Sequence, residues 1–142
     1  MAERHTIQVE IVSAEGEIFC GPATLVVAPA SQGDIGVAPR HAPLLSMLKP
    51  GEVRVHLPDG TEQFFFVGGG AIEVQPHRVT VLADTALRAK DLDEAAALAA
   101  KQRAEEALKD RSSHISQAEA LAELARAAAQ LKLIAKLRKV RG

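Results

Sequence analysis

The stretch Val53-Arg54-Val55-His56-Leu57-Pro58-Asp59-Gly60-Thr61-Glu62-Gln63-Phe64-Phe65-Phe66-Val67 decides the class of fold. Val53, Val55 and Leu57 alternate with Arg54 and His56, the two-residue period of a half-buried strand. Pro58, Asp59 and Gly60 are turn formers, and Glu62 to Val67 carries the chain back, so the segment reads as a β-hairpin. A second hairpin follows, in which Ala71 to Val74 leads through Gln75, Pro76 and His77 into Arg78 to Leu82. Upstream, Ile7, Val9 and Ile11 share one face against Thr6, Gln8 and Glu10, and Leu25 to Ala28 and Leu44 to Leu48 add short apolar runs. Strands at this spacing predict a sandwich or barrel rather than βαβ units. Gly68, Gly69 and Gly70 precede a strand and no Lys-Ser/Thr follows, so they predict a bulge or a tight sheet corner and not a phosphate loop.

The character of the chain changes near Ala86. Residues 88 to 142 hold no Pro and only Gly142, and they are dense in Ala, the best helix former. Asp91 to Glu94 has the form of a capping box opening a helix from Ala95 to about Lys109. Ser116 to Glu119 forms a second box, opening a helix to about Val140. The short polar connection between them, with Ser112, Ser113 and His114, predicts an antiparallel hairpin. On the second helix, Leu121, Leu124, Ala128, Leu131 and Ala135 are expected to form the buried stripe, with Leu133, Ile134, Leu137 and Val140 pointing away from it. The predicted division is therefore a β domain over 1–87 and a helical hairpin over 88–142.

The two halves carry opposite charge. Residues 1 to 87 hold five basic residues (Arg4, Arg40, Lys49, Arg54 and Arg78) and ten acidic ones, net −5, while the remainder carries net +4, inside a total of −1. Such asymmetry points toward partners of unlike sign. A lone Cys20 excludes an intrachain disulfide and suits a reducing compartment. No apolar run has the length of a membrane span and no signal segment is evident, so a soluble protein is expected. His5, His41, His56, His77 and His114 lack metal-ligand spacing, and no Ser/His/Asp or Cys/His set stands out, so neither a metal site nor catalytic machinery is expected. Four Phe with no Trp or Tyr leave little aromatic surface for stacking on sugars or bases, which argues against a free ligand-binding sandwich and against nucleic acid as a partner.

Several stretches carry a resemblance: Gly33-Asp34-Ile35-Gly36-Val37-Ala38-Pro39-Arg40-His41-Ala42-Pro43-Leu44-Leu45, then Lys49-Pro50-Gly51, then Gly69 to Pro76, then Val79 to Ala86. In this order, and across essentially the whole chain, the sequence resembles the epsilon subunits of bacterial rotary F-type ATP synthases. The resemblance implies an α+β, mainly β fold, with an N-terminal ten-stranded β-sandwich followed by a C-terminal antiparallel two-helix hairpin. It implies a non-catalytic subunit of the central stalk, peripheral to the cytoplasmic face of the inner membrane without direct insertion. There it would join the gamma subunit to the c-ring subunits during ATP synthesis and hydrogen ion transport. The hairpin would extend to the alpha and beta subunits and inhibit ATP hydrolysis.

Position by position, the resemblance places the c-ring contact on Gln32, Gly33 and Asp34, and the gamma interface beside His41. A nucleotide motif of the family falls on Leu92-Asp93-Glu94-Ala95-Ala96-Ala97, where Ala96 replaces the expected arginine. Arg103 and Arg126 match two further arginines of that site, but Glu119 and Gln130 stand where others would be. Phosphate binding needs dense cationic donors, so Leu92, Asp93, Arg103 and Arg126 imply at most a weak ATP site and no tightly held cofactor. The competing reading is a nucleotide-sensing module in which ATP holds the hairpin compact. The inhibitory segment would comprise Lys132, Leu133, Ile134, Lys136, Leu137, Arg138, Lys139 and Arg141, apolar on several faces and without an acidic residue.

Overall fold

The computed structural model describes residues 5–109 and 116–141, with the side chains of Val140 and Arg141 excepted. The connection holding Ser112, Ser113 and His114 lies outside the described residues, as do the side chains of Val140 and Arg141 at the inhibitory end. The strands are β1 (Ile7–Ser13), β2 (Gly16–Ala23), β3 (Leu25–Ala30), β4 (Gly33–Val37), β5 (Leu44–His56), β6 (Glu62–Gln75), β7 (Arg78–Ala83) and β8 (Ala86–Arg88). A single 3-10 turn over Ala89–Asp91 precedes α1 (Glu94–Lys109) and α2 (Gln117–Arg141). The chain divides into two compact units, Met1–Arg88 and Ala89–Gly142.

In the first unit the strands run in the order β2-β1-β7-β6-β5-β3-β4, with β8 also on β6. All neighbours are antiparallel except β1 and β7. β5 and β6 pair from Leu44 opposite Val74 to His56 opposite Glu62, and this long ribbon is the spine of the unit. β7 takes the Gly70–Gln75 end of β6, whereas β8 takes Phe65 to Val67 at the other end. Inward residues from all of these strands form one cluster, including Ile7, Ile11, Val26, Val55, Phe65, Ile72 and Val81, so the sheet folds over on itself. Each such side chain contributes roughly 1.5–3 kcal/mol by leaving water.

The expected ten strands are eight among the described residues. The difference lies in β5 and β6, which do not break at the corner but run through it, each serving both layers. The corner is where the glycines predicted it. Pairing is interrupted between Leu48 opposite Gly70 and Pro50 opposite Gly68, and Gly69 and Gly70 take φ of 105° and 135°. A Cβ on Gly70 would lie 2.1 Å from the Leu82 carbonyl oxygen, so the strands meet here at a distance only glycine permits. Gly68 N donates to Thr85 O at 2.8 Å and Asp84 N to Gly69 O at 2.9 Å, holding the bend against the β7–β8 turn.

The β5–β6 hairpin closes as its turn residues require. Leu57 N donates to Thr61 O at 2.8 Å, Gly60 adopts φ of 91°, and Asp59 Oδ1 accepts from Thr61 N at 2.9 Å and Thr61 Oγ1 at 2.6 Å. Those bonds to Thr61 hold the Asp59 carboxyl below its ordinary value, because they favour the charged form.

In the second unit α1 and α2 pack together as an antiparallel pair, since Glu94 pairs with Arg138 and Arg103 with Glu123 at 3.6 Å. Two expectations need correction here. The α1 cap is Asp93, whose Oδ1 accepts from Ala96 N at 3.2 Å, and Asp91 belongs to the 3-10 turn. The cap on α2 is Ser116, as read, with Oγ accepting from Glu119 N at 3.1 Å. The buried line of α2 is also not the expected one: Ala120 and Ala127 are buried, while Ala128, Ala135 and Leu121 are exposed, the last at 56%. At 100° per residue this is roughly a fifth of a turn away from the predicted stripe. Small residues allow the helix axes to approach most closely, so the seam selects alanine over leucine. Leu133 is buried and Ile134 and Leu137 are half-buried, on the side of α2 away from the expected stripe.

Candidate functional site

The outer face of one layer carries a row of exposed apolar residues. Met47 on β5, Ala71 on β6, Leu82 on β7 and Val12 on β1 lie in register across four strands, with Leu45 one step away on β5. Leu45, Met47 and Leu82 are 73%, 63% and 53% exposed. Their neighbours Leu48, Ile72 and Val81 point the other way, into the core. Sequence reasoning did not single out this row. Its signal was the run Leu44-Leu45-Ser46-Met47-Leu48, which is apolar on both faces and therefore expects burial on both sides.

The two contact points nominated from the resemblance adjoin β5 near this row. Ser31 and Gln32 form the β3–β4 turn, and Ser31 N donates to Met47 O at 2.9 Å, which ties the turn beside Met47. Gly33 and Asp34 are not in the turn but open β4, opposite Ala30 and Pro29, and Asp34 is exposed. His41 lies in the segment between β4 and β5. Arg40 N donates to Pro76 O at 2.8 Å, and His41 N to Ala38 O at 3.2 Å. His41 is half-buried, with Nδ1 2.7 Å from Ala42 O. A carbonyl oxygen only accepts, so Nδ1 is the donor in this contact.

The nucleotide residues are only partly brought together. Arg103 bonds to Glu123, and Arg126 sits three residues beyond Glu123 on α2, so these two share one neighbourhood. Leu92 and Asp93 stand about 15 Å away along the α1 axis at 1.5 Å per residue. Asp93 already caps the helix, Ala96 offers no cation, and Arg103 is paired with the Glu123 carboxylate. At the C-terminal end, Lys132 and Lys139 are exposed while Arg138 pairs with Glu94. Among the described residues, no group of three His, Cys, Asp or Glu gathers as a metal site, and no helix is long and apolar enough to cross a membrane.

Known proteins match both units. A family model described as "ATP synthase, Delta/Epsilon chain, beta-sandwich domain" matches residues 6–89, and one described as "ATP synthase, Delta/Epsilon chain, long alpha-helix domain" matches 90–135. The ATP synthase epsilon chain of Nitrosococcus oceani is 62% identical over 137 residues, covering 96% of this chain and 98% of its own. That of Halorhodospira halophila is 57% identical over 136 residues, covering 94% and 96%. Among solved structures, a chain of the Euglena gracilis mitochondrial ATP synthase (OSCP/F1/c-ring) aligns with a TM-score of 0.71 at 16% identity, over 96% of this chain and 82% of that one. A chain of the Tetrahymena thermophila mitochondrial ATP synthase central stalk/c-ring aligns with a TM-score of 0.58 at 12% identity, over 96% and 98%. At those identities the structural likeness speaks for the fold, whereas the sequence matches carry the kinship: the chain belongs to the family of bacterial F-type ATP synthase epsilon subunits.

Proposed function

We propose that this chain is a rotor part of the central stalk, in which the sandwich joins the gamma subunit to the c ring and the helical unit restrains ATP hydrolysis without chemistry of its own. The observation that carries the reading is the exposed apolar row Leu45, Met47 and Leu82. Soluble monomers seldom leave such contiguous apolar surface in water, and large patches mark protein interfaces. The row adjoins the turn tied to Met47 and the start of β4, where Gln32, Gly33 and Asp34 would meet the c ring, and the segment with His41, which would meet gamma. One surface would then serve both neighbours. The complex as a whole would be held at the cytoplasmic face of the inner membrane, with this chain peripheral to it.

Restraint of hydrolysis is assigned to the C-terminal end of α2. Lys132, Lys136, Arg138, Lys139 and Arg141 lack any acidic residue among them, so an acidic surface of the alpha and beta subunits would attract this end. Single exposed pairs contribute only about 0.2–1 kcal/mol, so all five must be changed for a clear effect. Tight nucleotide binding is not part of the reading, because Ala96 and the Arg103–Glu123 pair leave too few free cations around a phosphate.

The decisive test is reconstitution with gamma and the c ring. The double variant Met47→Asp, Leu82→Asp keeps both changes on the outer face and spares the core. It is expected to fold, by its NMR spectrum, and to fail to join the rotor. Normal assembly of that variant would overturn the interface.

A further inference from the structure

The spontaneous chemistry open to this backbone is concentrated at one dipeptide. The sequence contains no Asn, and of its six Asp only Asp59 precedes a glycine. Glycine has no side chain to hinder its own nitrogen, so an Asp-Gly pair is especially prone to close on itself. The glycine nitrogen attacks the aspartyl Cγ, the new N–Cγ bond completes a five-membered succinimide, and the carboxyl oxygen leaves as water. Water then opens the ring. Attack at one carbonyl restores Asp, and attack at the other leaves the main chain running through Cβ and Cγ as isoaspartate. Neither step needs a reactant other than water.

Asp59 and Gly60 are exposed at the tip of the β5–β6 hairpin, where water reaches them freely. Both reacting groups are nevertheless engaged. Gly60 N donates to Leu57 O at 3.0 Å, which fixes the plane of the peptide that would attack. Asp59 Oδ1 accepts from Thr61 N at 2.9 Å and from Thr61 Oγ1 at 2.6 Å, which turns the carboxyl toward Thr61. Ring closure needs Cγ face-on to the Gly60 nitrogen, so these bonds must open first. The Thr61 bonds also favour the ionised carboxyl, which keeps scarce the neutral acid from which water departs. Below the tip, Leu57 N donates to Thr61 O at 2.8 Å, and His56 Nδ1 stands 3.3 Å from Glu62 Oε1 on the last rung of the ribbon.

From this arrangement we infer that Asp59–Gly60 is the isoaspartate-forming site of the chain, held unreactive by the clasp of Thr61 in the closed hairpin and released when the hairpin opens. The product does not revert to the native turn. Isoaspartate adds one carbon to the main chain between Asp59 and Gly60. The Gly60–Leu57 and Leu57–Thr61 bonds then span a longer loop than the one they fit. The register of β5 on β6 depends on that turn, so a chain that has reacted while open closes its spine imperfectly. Folding thus protects the backbone at the point where the backbone most needs it. The inference concerns the free chain and is independent of its place in a rotor.

The test incubates the full chain at neutral pH in water enriched in heavy oxygen, once folded and once unfolded in guanidinium chloride. Trypsin, cutting after Arg54 and Arg78, releases the peptide 55–78, in which the isoaspartyl form is separated and its label read by mass spectrometry. The folded chain should form isoaspartate at least about tenfold more slowly than the unfolded one, because the clasp must open before each attack. Thr61→Val keeps the backbone donor and removes the hydroxyl, so it should react several-fold faster than the parent when folded and at the same rate when unfolded. Asp59→Glu, which would need a six-membered ring, should take up little label in either state. Equal rates for the folded and unfolded parent would overturn the inference whether or not the Thr61 variant folds. So would a folded Thr61→Val chain that reacts no faster than the parent, or label appearing at another aspartate in place of Asp59.

Discussion

Gly70 has no room for any side chain, because its missing Cβ would sit on the Leu82 carbonyl. Gly70→Ala should therefore destabilise the sandwich by roughly 2–4 kcal/mol, read from urea unfolding. Gly16 provides the control. Its φ is 130° but nothing lies within 4 Å, so Gly16→Ala carries only the backbone penalty and should cost clearly less. A similar loss from both would mean that close approach is not what the corner needs. Asp59 gives a second residue-scale prediction. Its folded carboxyl titrates below its unfolded value, so its contribution is present above the ordinary range near pH 4 and is lost as pH falls through the depressed value. Asp59→Asn should flatten the acid limb of a stability profile; an unchanged limb would show that the Thr61 bonds do not matter to folding.

At the scale of elements, legibility followed pattern strength. The β5–β6 and β6–β7 hairpins were readable because Val53, Val55, Ile72, Val74, Val79 and Val81 alternate cleanly and the turns hold Pro, Asp and Gly. β2 was not, since Phe19, Gly21 and Pro22 break any alternation, and neither β4 nor the three-residue β8 offers enough apolar positions. Counting ten strands cut β5 and β6 at the glycine corner, where the backbone in fact continues. On α2 the leucines drew attention to the wrong face, because propensity says nothing about which face meets a close partner. Of the candidate site, the contact positions could be carried over from the resemblance, but the apolar row could not. Its members come from four strands whose register is a tertiary fact.

The corrected seam is directly testable. Ala127→Leu overfills the α1–α2 contact and should cost about 1–3 kcal/mol, whereas Ala128→Leu on the exposed side should be near neutral. The reverse order by thermal unfolding would restore the original stripe. Arg88 makes a comparable prediction for β8. Its guanidinium donates to Ile18 O at 2.9 Å and Gln63 Oε1 at 3.2 Å and lies 5.6 Å from the Phe65 ring centroid. Arg88→Ala should speed hydrogen exchange of the β8 amides while sparing β1 and β7. Unchanged exchange would show that strand pairing alone suffices.

For the whole molecule, the division after Arg88 would let one chain serve as both the coupling part and the brake of the proposed function. The first unit has its own closed core from Ile7 to Ala86, so it should fold alone when the chain ends at Arg88. The most direct measurement compares ATP hydrolysis and proton pumping by the assembled enzyme containing either the full chain or the chain ending at Arg88. The account predicts that the shorter chain assembles and keeps pumping coupled while hydrolysis rises several-fold. Equal hydrolysis by the two enzymes, or loss of coupling with the shorter chain, would contradict it.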